Sequence, residues 1–233
     1  MSKWSQLKFA LKGGTVLNRV YLGDNGRFSE DLDIDIFGNL SIDDKLKELK
    51  NAAKRLLEYK IEGPRILHLT ARFDAFYINE FGDKDRVMLE FYLANKKPVV
   101  ARPIESILIH SRFIETSPAM FPCYSLEDLI AQKLVTLSFR GRGKDIYDLF
   151  YALDLTHDSI LVKEALIKRL ALRGKTINPD DFFKSLLDQE EKFLTISAQL
   201  KNSINHYIPR DQRPNWKIFI STLFDKLKDY SKK

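Results

Sequence analysis

Lys12-Gly13-Gly14-Thr15-Val16-Leu17, followed after nine residues by Arg27-Phe28-Ser29-Glu30-Asp31-Leu32-Asp33-Ile34-Asp35, reads as a glycine turn opening a helix, a loop, and a strand with an aspartate at every second position. Strand side chains alternate faces, so Leu32, Ile34 and Ile36 share one face while Asp31, Asp33 and Asp35 share the other. Neighbouring carboxylates on that face stand roughly 7 Å apart, and such a ladder is costly without a cation against it. A hard divalent ion such as Mg2+, which takes oxygen ligands and brings a phosphate with it, is the natural partner. Gly13 and Gly14 let the backbone approach a phosphate, whose charge the N–H groups at the helix start can hold. A tight strand-to-helix turn without any ligand also explains the pair. Residues 7–11 read as the preceding strand, Thr15 to Leu22 as the helix, and Gly23-Asp24-Asn25-Gly26 as the returning turn.

Outward from this stretch the chain alternates element types. Ser41 to Tyr59 reads as a capped helix with Leu46, Leu49, Ala53, Leu56 and Leu57 on one stripe. Gly63-Pro64 is expected to end that unit. Arg65 to Ile78 alternates apolar and polar residues as one long strand, turned by Asn79–Asp85 into a second strand, Arg86 to Leu93. Glu90, the one acid in that second strand, is expensive to bury unless it meets a metal, faces solvent or pairs with Arg72. One more strand is expected at Ile104–Ile109. The proline-containing run Ser111–Pro122 is the expected domain boundary, giving a core domain at 1–115 and a helical domain at 116–233.

Beyond that boundary Ser125-Leu126-Glu127-Asp128 starts a helix to about Phe139. Lys133 falls within its apolar stripe, where it must snorkel or find an anion. Arg140-Gly141-Arg142-Gly143-Lys144 reads as a flexible basic loop leading to a helix that carries Asp145 and Asp148, either of which complements a helix dipole as a first-turn acid. Further helices are expected at 159–172, 179–204 and 214–230, with Trp216, Phe219 and Phe224 in their core.

Composition is that of a globular chain, with no run approaching the ~18 apolar residues of a membrane span and no apolar leader. Cys123 is the only cysteine, so an internal disulfide is excluded and the cytoplasm is the expected compartment. The net charge of +6 is placed unevenly: residues 1–159 hold 23 Lys and Arg against 23 Asp and Glu, and residues 160–233 hold 15 against 9. A basic last third suits an anionic partner such as RNA, and equally a solvated lysine-rich surface.

The pattern K-G-G-T-x-L, spacer, R-x-S-x-D-x-D, followed by a helix lysine at Lys133 and the Arg140/Lys144/Asp145/Asp148 segment, resembles the nucleotidyltransferase AbiEii/AbiGii toxin family. That family is a branch of the DNA polymerase β-like nucleotidyltransferases, and the resemblance covers residues 9–155. It implies an α+β fold: a mixed or antiparallel sheet flanked by helices, plus a C-terminal helical bundle. By the same resemblance Asp31, Asp33 and Glu90 would hold Mg2+, and Gly13, Gly14, Thr15, Ser29 and Arg27 would hold an NTP. Lys133 would neutralise triphosphate charge and Asp145 would orient that lysine or the acceptor. The implied activity is transfer of a nucleoside monophosphate to RNA, tRNA first among acceptors, in a chain with a cognate antitoxin. Transfer to a protein hydroxyl or a small molecule, or non-catalytic nucleotide or RNA binding, are the alternatives.

Overall fold

The computed structural model describes residues 7–56, 59–109 and 119–232 and divides into two compact units. One comprises Met1–Val16, Ser29–Pro98 and Ile104–Cys123; the other comprises Leu17–Phe28, Val99–Pro103 and Tyr124–Lys233. The fold is α+β, with the strands in the first unit and most helices in the second.

In the first unit, strands β1 (Lys8–Lys12), β2 (Asp31–Phe37), β3 (Lys60–Leu67), β4 (Thr70–Ile78), β5 (Lys84–Tyr92), β6 (Glu105–Ile109) and β7 (Ala119–Cys123) form one sheet. Its order is β3-β4-β5-β2-β1-β7-β6, which places the aspartate strand centrally. β2 runs antiparallel to β1 and parallel to β5, and β1 pairs with β7 in parallel. The sheet is therefore mixed. Its apolar face buries Ile34, Ile36, Leu11 and Phe73, where each large side chain contributes roughly 1.5–3 kcal/mol.

Three expectations for this unit change. The long strand 65–78 is two strands, because His68 adopts φ 54° and turns β3 back onto β4. Apolar alternation continues across so short a turn, and periodicity alone does not reveal it. Gly63-Pro64 does not end the unit but lies inside β3, where the register shifts between Glu62 and Arg65. The run 111–122 hides β7, and its residues 111–118, like Leu57, lie outside the described residues.

Helix α1 (Gly13–Val16) follows β1 directly, and the chain continues through a wider, π-helical turn at Leu17–Tyr21. α2 (Ile42–Ala53) starts at Ser41, whose Oγ accepts the Asp44 N–H at 3.1 Å. It stops six residues short of the expected Tyr59. On its inner side Lys45 is 2% exposed, and its ammonium donates to the carbonyls of Leu93 (2.7 Å), Asn95 (3.0 Å) and Ile36 (3.4 Å). A buried lysine is tolerated there because its donors are met by main-chain oxygens.

The second unit is helical: α3 (Leu126–Arg140), α4 (Gly143–Ala152), α5 (Ser159–Ala171), α6 (Pro179–Leu187), α7 (Glu190–Thr195), α8 (Ser197–Ile204) and α9 (Trp216–Ser231). Ser125, Asp158, Asn178 and Asn215 each cap a helix with a side-chain oxygen. The single helix expected over 179–204 is three, broken at Asp188-Gln189 and at Ile196. The breaks let Phe183, Phe193 and Leu200 all turn inward, and α6, α7 and α8 each pack on α9. Trp216, Phe219 and Phe224 are core residues, as expected.

Candidate active site

β2 carries Asp31 and Asp33 on one face, and the parallel register sets Glu90 of β5 beside Asp33. Directly opposed residues on neighbouring strands share a face. Lys12 of β1 is the other neighbour of Asp33, and Arg72 of β4 is the far neighbour of Glu90. The order across the sheet is Lys12, Asp33, Glu90, Arg72. The protein thus brings its own cations to the carboxylate face. Lys12 pairs with Asp35, whose other oxygen accepts from Asn95 at 3.3 Å. Glu90 is gripped by Arg72 through Nε at 2.8 Å and through a second, shorter bond from the same guanidinium.

The glycine turn closes on the same point. Gly13 has φ +74°, and a Cβ on it would collide with Asp33 Oδ2. Only glycine combines that backbone with that contact. Thr15 Oγ1 donates to the Asp31 carbonyl and is hydrogen-bonded to the Ser29 hydroxyl at 2.9 Å, which ties the helix start to the strand start. Gly13, Thr15, Ser29, Asp31, Asp33 and Glu90 are therefore neighbours within one unit. Among the described residues, no three His, Cys, Asp or Glu side chains converge as a ready cation cage. The donor chemistry nonetheless fits a hard divalent ion: Asp31 and Asp33 present carboxylate oxygens beside a main-chain cradle, and Glu90 can join them by leaving Arg72.

A second cluster lies in the helical unit. Lys133 of α3 reaches Asp148 Oδ2 at 2.7 Å and Asp145 Oδ1 at 3.3 Å. Arg27 holds Asp148 with two bonds, and Asn18 Nδ2 adds a third at 3.1 Å. Arg140 holds Asp145 with two bonds of 2.9 Å. Lys133, placed by its sequence position on an apolar stripe, is 6% exposed, and its anions are the two aspartates. Arg27 is 4% exposed, and its guanidinium donates to Asp148 and the Phe28 carbonyl, so it anchors the motif loop inside this unit. Burial alone would push the Asp145 carboxyl up. The Arg140 hydrogen bonds and the Lys133 and Arg140 charges outweigh it and hold the group at about 2. Asp148, also buried, is held below its ordinary value by Lys133 and Arg27.

The Arg140–Lys144 segment is pinned, contrary to expectation. Gly141 ends α3 at φ +57°, with Phe193 packed where its Cβ would stand, and Gly143 lies against the Leu200 carbonyl. Its glycines serve close packing. Sequence reasoning takes Asp148 for a helix-dipole acid and passes over Asn18. The signal was present in the D-x-x-D spacing, but a first-turn acid and a buried ligand of arginine look alike in one sequence.

A profile described as nucleotidyl transferase AbiEii toxin, type IV toxin–antitoxin system, matches residues 5–231. The chain belongs to the AbiEii nucleotidyltransferase toxin family. Its fold is similar to that of MenT4, a nucleotidyltransferase toxin of Mycobacterium tuberculosis H37Rv, at 18% identity over 95% of this chain and 76% of that one, TM-score 0.58. A nucleotidyltransferase structure from Helicobacter pylori, described there as putative, gives 18% identity over 95% and 88%, TM-score 0.53. JHP933 of the same bacterium gives 17% over 96% and 87%, TM-score 0.52. At such identities these likenesses speak for the fold alone. No curated protein matches. The AbiEii match extends well past residue 155, to residue 231, and so takes in the C-terminal helices. Among the described residues no helix is long and apolar enough to cross a membrane.

Proposed function

We propose that this AbiEii nucleotidyltransferase is Mg2+-dependent and transfers a nucleoside monophosphate from an NTP to an RNA acceptor, tRNA first among them, with release of pyrophosphate. The observation that carries the reading is the contact of Gly13 with the Asp33 carboxylate, which brings a phosphate cradle and a metal-binding oxygen to one point. Asp31 and Asp33 would hold the ion, with Glu90 as the third carboxylate. Bound Mg2+ would supply charge neutralisation for the triphosphate and polarise the reacting phosphate. The main chain at Gly13 and Gly14, with the Thr15 and Ser29 hydroxyls, binds and orients the phosphates. Lys133 would neutralise triphosphate charge, with Asp145 orienting it. Its cluster of Arg27, Lys133 and Arg140 against Asp145 and Asp148 carries one positive charge in excess. A cytoplasmic site of action and a cognate antitoxin complete the reading.

The test incubates the protein and each of four labelled NTPs with total RNA, with protein and with small hydroxylated acceptors. Label in RNA, requiring Mg2+ and lost in Asp31→Asn, is the expected result. Label in protein or a small molecule would replace the acceptor, and label that persists in Asp31→Asn and Asp33→Asn would overturn the site.

A further inference from the structure

At the opposite end of β2 from Asp31 lies a cavity of about 660 Å3 lined by Lys8, Phe9, Phe37, Asn39, Lys96 and Lys97, among others. Among the described residues no acid lines it, and none of the three lysines is in a salt bridge. Three exposed lysines around one hollow make it a place of positive potential that favours an anion. Phe9 is 37% exposed at the rim, where an aromatic face is open to stacking. The frame is rigid: buried Lys45 fastens Leu93 and Asn95 to the end of β2, and the Gly38 N–H donates to the Lys96 carbonyl at 3.1 Å.

This hollow is not an extension of the carboxylate site. Lys8 pairs with Phe37 and Lys12 with Asp33, four residues further along β1, which is about 14 Å of strand. Between them Ala10 and Asp35 are 0% and 3% exposed, so the intervening surface is closed.

We infer that this lysine-rimmed cavity is a second binding site that takes a nucleoside phosphate, its base on Phe9 and its phosphate among Lys8, Lys96 and Lys97. The ligand is a nucleotide of an RNA strand or a free nucleotide, since both carry that chemistry. The site stands whether or not Asp31 and Asp33 catalyse transfer.

The experiment measures binding of a labelled single-stranded 12-mer RNA and of AMP to the full chain, in an Asp31→Asn/Asp33→Asn background that silences the carboxylate site. Lys96→Glu/Lys97→Glu is expected to weaken one or both probes about tenfold. It should also cut the salt slope of RNA binding by about 1.4, two phosphate contacts at about 0.7 each. Phe9→Ala should weaken the same probe by about tenfold through lost stacking. Lys50→Glu/Lys54→Glu, the same charge change elsewhere on this unit, should leave both unchanged. Loss of RNA binding assigns the strand, and loss of AMP binding assigns the free nucleotide. Equal weakening by the two lysine pairs, or wild-type affinity in Lys96→Glu/Lys97→Glu, overturns the proposal. Persisting transfer in the silenced background would instead overturn the proposed reaction site and leave this one intact.

Discussion

Arg27 grips Asp148 through two parallel bonds, Nε to Oδ1 at 2.9 Å and a terminal nitrogen to Oδ2 at 2.8 Å, with both side chains at most 2% exposed. One partner comes from the first motif and the other from the last helix of the second, 121 residues apart. The pair explains why the loop before the aspartate strand opens with an arginine. Bidentate geometry and the further bonds from Lys133 and Asn18 satisfy a carboxylate that has no water to turn to.

Removing one side of that pair leaves an uncompensated buried charge. Asp148→Ala should destabilise the helical unit by about 3–5 kcal/mol in urea unfolding, and Asp148→Asn by less. A loss under about 1 kcal/mol would show that the pair is not a structural anchor.

Acid should unfold this unit in a defined window. The folded-state pKa of Asp145 is about 2, below its ordinary 3.8, so its contribution is complete above about pH 4 and is lost as pH falls toward 2. The difference amounts to roughly 2 kcal/mol, in the same direction as Asp148. Denaturant midpoints between pH 5 and pH 2 measure it. Arg140→Met should flatten the curve, since it removes the principal stabiliser of the Asp145 carboxylate.

Gly13→Ala asks whether the glycine is there for phosphate or only for the turn. A methyl group there must displace Asp33, and displacements near 1 Å cost about 100-fold in rate. Transfer should fall by that order while circular dichroism stays native. Full activity in Gly13→Ala would separate the glycine from the chemistry.

Arg72 competes with any cation for Glu90. If Glu90 serves as third ligand, Arg72→Met should lower the Mg2+ concentration for half-maximal transfer several-fold, and Glu90→Gln should raise it. An unchanged Mg2+ dependence in both variants would leave Glu90 as a sheet ion pair.

Much of the carboxylate site was legible because strand alternation is a local rule. Asp31 and Asp33 share a face as a consequence of their spacing, and Glu90 could be singled out as one acid among Leu89 and Phe91. The pairing of Arg72 with Glu90 was one of the alternatives open in the sequence, and the structure has it. What a single sequence did not show was Lys12, which reaches that face only through the register of β1 with β2. The helical cluster was half legible. Lys133 stood out by its place on an apolar stripe, whereas Asp148 and Asn18 looked like ordinary helix polar residues until Arg27 was placed beside them.

The amino-acid order by itself determined the aspartate face, the glycine turn and the principal helix starts, since each follows from backbone geometry within about ten residues. Tertiary structure alone decided which charges meet: Lys12 with Asp35, Arg27 and Lys133 with Asp148, and, of the partners open to Glu90, Arg72. It also decided that the Arg140–Lys144 segment is clamped and that three lysines ring one hollow. Coulomb and desolvation energies depend on distance through space and on burial, and neither is a property of position along the chain.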